Sequence, residues 1–187
     1  MNLSAPQSQR GTSLVEVLVT MVILAIGLLA LAGLQARLHL LQIESYQRAQ
    51  ALILLQDMTS RLVNNRYDAA SYVTAAPLGT GAACPALPAT RQEVDAVEWC
   101  NSILGASETE SGGGAVGAMV GGRGCVEALG GDEYLLTVAW QGLAPISAPP
   151  ASVTCGEDEY DDVAGSQCVN DLCRRVVTTV IRIPTLT

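Results

Sequence analysis

A long apolar stretch near the start of the chain dominates its pattern of hydrophobic and polar residues. Residues 17–34 contain no charged side chain, and this length is about the minimum for a helix that crosses a bilayer. We therefore predict a membrane-spanning helix from Thr12 to Leu34. Glu16 stands at the start of the run. A carboxylate at the edge of hydrocarbon is costly unless it finds a partner, so Glu16 is a candidate functional residue.

The following residues predict that the helix continues with two different faces. Residues 35–65 contain neither Gly nor Pro and many strong helix formers. The apolar stripe, at steps of three and four with a gap at Ser45 and Arg48, comprises Leu38, Leu41, Leu52, Leu55, Met58 or Thr59, and Leu62. The polar side comprises Arg37, Glu44, Gln47, Gln50, Asp57 and Arg61. Such an amphipathic helix needs a cover for its stripe. With an end at Asn64 and Asn65, the whole helix would contain 54 residues and be roughly 80 Å long.

A second, short helix is expected after a loop rich in Ala, Gly and Pro at residues 75–88. Thr90 and Glu93 form a capping-box pattern, which predicts a helix from about Arg91 to Leu104. Its inner face would carry Val94, Val97, Cys100 and Leu104. A glycine-rich loop follows at residues 107–124, without the lysine that a phosphate-binding loop requires.

Three strands are expected in the last third of the chain, at residues 125–129, 133–141 and 173–183. A Gly-Gly-Asp turn separates the first two and predicts a hairpin. Alternation along the second strand places one set of side chains on a single face: Tyr134, Leu136, Val138 and Trp140. We predict an α+β fold in which a small antiparallel sheet covers the apolar stripe of the long helix.

Charge argues against nucleic acid as a partner. The formal net charge is −8, and residues 68–187 contain 15 acidic residues against five Arg, which is −10 by subtraction. A phosphate backbone needs cations on the protein in place of its counterions. The downstream part of the chain is therefore expected to be an acidic, solvent-exposed head.

All six cysteines lie in this downstream part: Cys84, Cys100, Cys125, Cys155, Cys168 and Cys173. Their segregation predicts a head exported to an oxidising compartment and stapled by disulfides. Many pairings are possible; the one we expect is Cys84–Cys100, Cys125–Cys173 and Cys155–Cys168. The spacing lacks the Cys-x-x-Cys pairs of a zinc site.

Other candidate chemistry is sparse. Five carboxylates in residues 157–162 would suit Ca²⁺, but the EF-hand spacing is absent, so we expect a solvated acidic loop and no bound metal. The single histidine, His39, lies in the long helix, where it cannot serve a nucleophile in the head. We expect no catalytic residues, no cofactor and no enzymatic activity.

The first ten residues are polar, and Gly11 precedes the apolar run. Cleavage there would leave the hydrophobic segment on the mature protein, unlike cleavage of a secretory signal peptide. The stretch Gly11-Thr12-Ser13-Leu14-Val15-Glu16, followed by the apolar run, resembles the class III leader of type IV pilins and pseudopilins. Residues 26–35, 138–142 and 173–177 are similar to PilV-type minor pilins. Thr12 replaces the usual Phe, and Gly33 stands where many major pilins have Pro.

The resemblance implies the type IV pilin fold and its processing. A prepilin peptidase would cleave between Gly11 and Thr12, and Thr12 would then be N-methylated. Glu16 would pair with the terminal amine of another subunit and set axial register in the fibre. The implied organisation is a cleaved leader at 1–11, a transmembrane and fibre-core helix at 12–34, an amphipathic half at 35–66 and a disulfide-bonded head at 67–187.

The resemblance also implies function and location. The chain would be a minor pilin that primes or caps type IV pilus assembly, with roles in adhesion and twitching motility. Its partners would be other minor pilins, the major pilin, the prepilin peptidase, the inner-membrane assembly platform and a large tip adhesin. It would cross the inner membrane once with a periplasmic head, and reach the cell surface in the pilus. Alternatives are a minor pseudopilin of a type II secretion system and a membrane-tethered periplasmic binding protein or enzyme.

Overall fold

The computed structural model describes residues 13–82, 84–86, 88–106, 108, 111, 117, 119–161 and 167–184. The chain divides into two compact units, an N-terminal unit that ends at Gln42 and a C-terminal unit, Ile43–Thr187. Helix α1, Leu14–Asn64, begins in the first and ends in the second. The 3₁₀ segment Arg66–Tyr72 follows it directly. The predicted long helix and its end at Asn64 and Asn65 are confirmed, while Thr12 lies outside the described residues.

The C-terminal unit contains helix α2 and a small sheet. Helix α2 is Arg91–Ile103, and the strands are β1 Leu78–Gly79, β2 Arg123–Gly130, β3 Glu133–Gln141 and β4 Arg174–Arg182. The strands pair antiparallel in the order β1-β2-β3-β4, with a register shift in the β2–β3 hairpin between Ala128 and Gly130. The α+β class, the short helix and the three expected strands are confirmed. The two-residue β1 was missed because it lies in a stretch of Ala, Gly and Pro.

The sheet covers the amphipathic half of α1, as predicted. Tyr134, Leu136, Val138 and Trp140 of β3 share one core with the helix. The helix contributes Ala51, Leu54, Leu55, Met58 and Leu62. On the other face of the sheet, Ala139 packs with two cysteines and Val176. Both faces of β3 are therefore covered, which explains why all residues from Tyr134 to Trp140 are buried.

The predicted stripe of α1 was wrong in part. Leu52 is 49% exposed, whereas its neighbours Ala51 and Leu54 are buried. Gln47, assigned to the polar side, is buried as well. Leu38 and Leu41 are exposed. The pattern of large apolar residues does not locate the buried face of α1, because a small side chain, Ala51, occupies a fully buried position in the core that the helix shares with the sheet.

The inner face of α2 contains Cys100, as predicted, but its other three residues differ from the prediction. Its buried residues are Asp95, Trp99, Cys100 and Ile103. Val94, Val97 and Leu104 are only partly buried. The start of the helix is as expected, because the Glu93 carboxylate accepts backbone N–H groups from Ala89 at 2.7 Å and from Thr90 at 3.0 Å. These two hydrogen bonds hold the pKa of Glu93 below its usual value.

Three disulfides staple the C-terminal unit. Cys84–Cys100 joins the loop before α2 to the helix, as predicted. The other two predicted pairs were wrong, since Cys125 bonds Cys155 and Cys168 bonds Cys173. Strand β3 lies between β2 and β4, and the register places Thr178 of β4 across from Cys125 at two strand spacings, roughly 10 Å, with Cys173 five residues away along the chain. A disulfide requires Cα atoms within about 7 Å.

Candidate functional site

The first turn of α1 carries the acidic residue that the sequence singled out. Glu16 and Val17 donate their backbone N–H groups to the carbonyl of Ser13 at 3.0 and 3.3 Å, so the helix begins at this point. Glu16 is exposed. A carboxylate in the first turn interacts favourably with the helix dipole, by about 0.3–1 kcal/mol. Gly11 and Thr12, the predicted cleavage and methylation residues, lie outside the described residues.

The helix that follows Glu16 presents apolar side chains on every side. Helix α1 is long and apolar enough to cross a membrane, and its most hydrophobic window contains no buried residue. Thr20 donates its hydroxyl to the carbonyl of Val17 at 2.9 Å, so this polar group is satisfied within the helix. An apolar surface of this extent requires a cover other than water.

Three carboxylates lie close together at the acidic loop, and the sequence predicted two of them as part of that loop. Carboxylate oxygens of Asp158, Asp161 and Asp171 lie within 4.8 Å of one another. Asp162, part of the predicted loop, lies outside the described residues. Asp171 is distant in sequence, and its only signal is the Asn170-Asp171 pair, which adopts positive φ angles of 52° and 60° as turn residues of this type do.

Hydrogen bonds account for the positions of these carboxylates. Asp171 accepts the backbone N–H of Asp158 at 3.0 Å and also pairs with Arg174 at 2.8 Å. Asp161 accepts the backbone N–H of Asp171 at 2.9 Å. The loop is further held by Glu159, which pairs with Arg123 at 2.7 Å. Its acidic residues therefore shape the loop, which is more than the solvated surface we expected.

Arg123 also lies over the ring of Tyr160, with 5.0 Å between the guanidinium carbon and the ring centre. The Tyr160 hydroxyl donates to the carbonyl of Gly121 at 2.9 Å. Burial raises the pKa of this tyrosine. Together these contacts fasten the acidic loop to the sheet.

A buried carboxylate at the end of α1 was not predicted. Asp95 on α2 is fully buried and pairs with four polar side chains of the surrounding elements, three by hydrogen bonds and Arg91 by an ion pair. These are Arg61 at 2.9 Å, Arg91 at 3.1 Å, Tyr72 at 2.5 Å and Asn65 at 3.3 Å. We refer to these five residues as the Asp95 cluster. It joins α1, the 3₁₀ segment and α2.

The charges in the Asp95 cluster support one another. Burial would lower the pKa of Arg61, but hydrogen bonds to Glu98, Asp57 and Asp95 raise it above the usual value. Burial raises the pKa of Tyr72, and its hydrogen bond to Asp95 raises it further. The Asp95 carboxylate is buried and has several polar and charged partners, so its role is to hold the surrounding segments together. The Arg91–Asp95 spacing was a visible signal for it in the sequence.

Comparison with known proteins identifies one relationship. Residues 6–32 match the family described as prokaryotic N-terminal methylation motif. The match contains Gly11, Thr12 and Glu16 and extends into the apolar part of α1. No curated protein and no solved structure matches the chain.

The motif and the apolar helix after it agree with one class of protein. They support a type IV pilin or pseudopilin, a structural protein anchored in a membrane through its N-terminal helix. The long helix, the small antiparallel sheet and the disulfides agree with that class.

Proposed function

We propose that this protein is a minor pilin, a structural subunit that primes or caps a type IV pilus. The observation that carries the proposal is the methylation motif at residues 6–32, which continues into a helix with no buried residue in its apolar window. A helix of this kind serves as a membrane anchor before assembly and as part of a fibre core afterwards. The similarity of residues 138–142 and 173–177 to PilV-type sequences favours the minor class.

Processing would begin at the bond between Gly11 and Thr12. Hydrolysis by a prepilin peptidase leaves a free amine on Thr12, and a methyl group is then transferred to that nitrogen. The new terminus lies four residues before Glu16 in the sequence. Cleavage therefore places a cation and an anion at one end of the apolar helix.

Glu16 would act during assembly. In a fibre core of low dielectric, the Glu16 carboxylate of one subunit meets the terminal amine of another. Leaving one of these charges unpaired would cost about 3–5 kcal/mol, so the pair favours one axial register over others. The interaction with its own helix dipole, about 0.3–1 kcal/mol, is too small to select a register.

Location and partners follow from the same proposal. The subunit would wait in the inner membrane with the disulfide-bonded residues in the periplasm, an oxidising compartment that suits them. It would then join other minor pilins and the major pilin at the assembly platform, reach the cell surface and contribute to adhesion and twitching motility. A large tip adhesin is the expected distal partner.

Intact mass analysis of the N-terminus tests the processing step. Protein from membranes and from sheared pili should lack Met1–Gly11 and carry one methyl group on Thr12. A control chain with Gly11→Glu should retain the leader, because the peptidase requires the small residue at the cut. A wild-type protein that keeps its leader in the membrane would overturn the proposal.

The same motif supports a second candidate, a minor pseudopilin of a type II secretion system. Deletion of the gene separates the two. Loss of surface pili with normal exoprotein secretion supports the pilin, and the opposite pattern supports the pseudopilin. A third outcome would indicate a membrane-tethered periplasmic protein. In that case the C-terminal unit would bind a ligand or catalyse a reaction, and it would still do so after Glu16 is replaced.

A further inference from the structure

Within the described part of the chain, one edge of the sheet has no neighbouring strand. Strand β4 pairs with β3 from Arg174 to Arg182, and it is the last strand in the sheet order. Among the described residues, none pairs with its outer edge. In contrast, the edge of β2 is closed by β1 and by Thr74, which donates its N–H to Val126 at 2.9 Å and accepts the Val126 N–H at 3.1 Å. An open edge strand presents unpaired N–H and C=O groups to other chains.

The middle of strand β4 lacks the features that protect most edges. The six residues Val176–Ile181 are all β-branched, with no Pro, Gly or charge among them. The register with β3 is unbroken, so no bulge twists the edge away. Thr178 is exposed and Val180 is 55% exposed. Short segments of this composition pair readily with other strands.

A groove runs beside this edge. Leu52, Leu55, Gln56 and Thr59 of α1 and Thr179 of β4 line an open space of about 400 Å³. Side chains on one face of a strand added to β4 would point toward the helix, because alternate residues point to opposite faces. The exposed Leu52 would then have an apolar partner. The edge would supply backbone hydrogen bonds and the groove would supply selectivity.

The charges on β4 indicate whether a second copy of this strand or a strand of another chain fits its outer edge. The strand begins with Arg174 and Arg175 and ends with Arg182. Antiparallel pairing of β4 with the β4 of a second copy, centred on Thr178 or on the Thr178–Thr179 bond, would place Arg182 opposite Arg174 or Arg175. Like charges directly opposite each other destabilise a strand pair. The edge therefore favours a chain of different sequence.

Arg182, which lies directly opposite Glu133 of β3, is the cation of β4 that such a partner can reach. Arg174 is buried and paired with Asp171, and Arg175 pairs with Glu44 at 3.3 Å. Arg182 is exposed, and the ion pairs found among the described residues do not include it. We propose that the outer edge of β4 docks one extended strand of another protein, apolar in its middle and acidic at the end that meets Arg182. This proposal does not depend on the pilin assignment.

A synthetic peptide tests the proposal on the full chain in detergent. The peptide has about ten residues, the length of a long strand, with alternating valine and threonine and a glutamate at each end. Hydrogen exchange should show new protection at alternate amides of residues 174–182, because successive N–H groups of a strand point to opposite edges. Amides of β2 should keep their rates.

Charge reversal gives the matched comparison. Arg182→Glu should weaken binding of the glutamate-ended peptide about fivefold or more, and a lysine-ended peptide should restore it. The affinity of Arg182→Gln for the glutamate-ended peptide should lie between that of the wild type and that of Arg182→Glu. Arg66→Glu, a reversal at an exposed arginine outside the sheet, should leave the affinity unchanged.

Three results would overturn the proposal. The first is peptide binding without protection of β4, and the second is an equal loss in the Arg66→Glu and Arg182→Glu variants. The third is protection of β4 that rises with protein concentration when no peptide is present, because this would assign the edge to a second copy of the chain.

Discussion

Arg61 of α1 donates a hydrogen bond of 2.9 Å to Asp95 of α2, and the Asp95 side chain is fully buried. The two residues are 34 positions apart in sequence and lie on different helices. Because buried ion pairs gain little over apolar contacts but cost much when one partner is removed, this contact is sensitive to truncation. It secures the end of the long helix to the remainder of the C-terminal unit.

Replacing Asp95 should destabilise the C-terminal unit strongly. Asp95→Ala leaves the buried hydroxyl of Tyr72 without its acceptor and removes one of the three carboxylates that bond Arg61, at a cost of about 3 kcal/mol. Urea unfolding of the full chain in detergent, followed by fluorescence of the buried Trp99, measures the loss. Glu98→Ala is the control, because Glu98 contacts the same arginine but is 53% exposed. It should cost less than about 1 kcal/mol, and similar losses in both variants would contradict the assignment.

Stability should fall at alkaline pH because of Tyr72. In the folded protein, burial and the hydrogen bond to Asp95 raise the pKa of Tyr72 above its usual value. The unfolded chain releases this proton near pH 10 while the folded chain retains it. The unfolded state therefore binds fewer protons above about pH 10, and the free energy of unfolding decreases as the pH rises.

Tyr72→Phe should reduce this decrease and lower stability at neutral pH by about 1–3 kcal/mol, because Asp95 loses a donor. Part of the alkaline decrease should remain, since burial raises the pKa of Tyr160 as well. Urea midpoints between about pH 8 and pH 11 measure both effects. Tyr67→Phe, at a position that is 82% exposed, should change neither.

The disulfides should contribute unequally to stability. The Cys125–Cys155 bond closes a loop with a sequence separation of 30, against 5 for Cys168–Cys173. Loop entropy predicts losses of about 3.6 and about 2 kcal/mol when each pair is replaced by two alanines. Chemical unfolding of the two double variants measures the difference. A peptide map without reduction should show these pairs, and a Cys125–Cys173 link would refute the geometry.

Gly124 of β2 should not tolerate a side chain. A Cβ atom there would collide with the ring of Trp99 and lie 2.6 Å from Cδ1 of Ile103. Both neighbours are fully or almost fully buried, so Gly124→Ala should cost about 1–3 kcal/mol in the unfolding free energy. Gly27→Ala is the comparison, because a Cβ at Gly27 meets nothing within 4 Å. Its unfolding midpoint should match that of the wild type.

Glu16→Ala should block assembly without blocking processing. The variant should insert in the membrane and lose its leader, yet be absent from sheared pili, because the register pair is lost. Thr20→Ala is the matched control, since the Thr20 hydroxyl donates to the carbonyl of Val17 in its own helix. Quantitative mass spectrometry of the membrane and pilus fractions measures leader cleavage in the first and the amount of incorporated subunit in the second. Incorporation of Glu16→Ala at the wild-type level would exclude the assembly role.

Local patterns were reliable guides to the elements of this fold. The uncharged run, the Asn64-Asn65 stop, the Thr90–Glu93 cap and the β-branched strand at residues 173–183 all predicted elements that the structure contains. Errors of one residue arose where a face had to be chosen, as with Leu52 against Ala51. Large apolar side chains set the predicted face, while the fit between helix and sheet sets the real one.

Long-range relationships were less accessible. Asp95 attracted no prediction, because its burial depends on donors from three separate elements, among them Arg61 and Tyr72. The pairing of Cys125 with Cys155 depends on the strand order, which places β3 between β2 and β4. Asp171 joined the acidic loop only through a turn that brings it back to Asp158.

The sequence by itself determined the apolar helix, the position of Glu16 within it and the number of cysteines available for disulfide bonds. These properties depend on residue type and on spacing along one segment, and the physics of a helix or a bilayer acts on such segments directly. Only the tertiary structure decided which carboxylates are buried, which cysteines bond and which strand forms the edge of the sheet in the described part of the chain. Those outcomes depend on the distances between segments far apart in sequence, which packing and strand order set together.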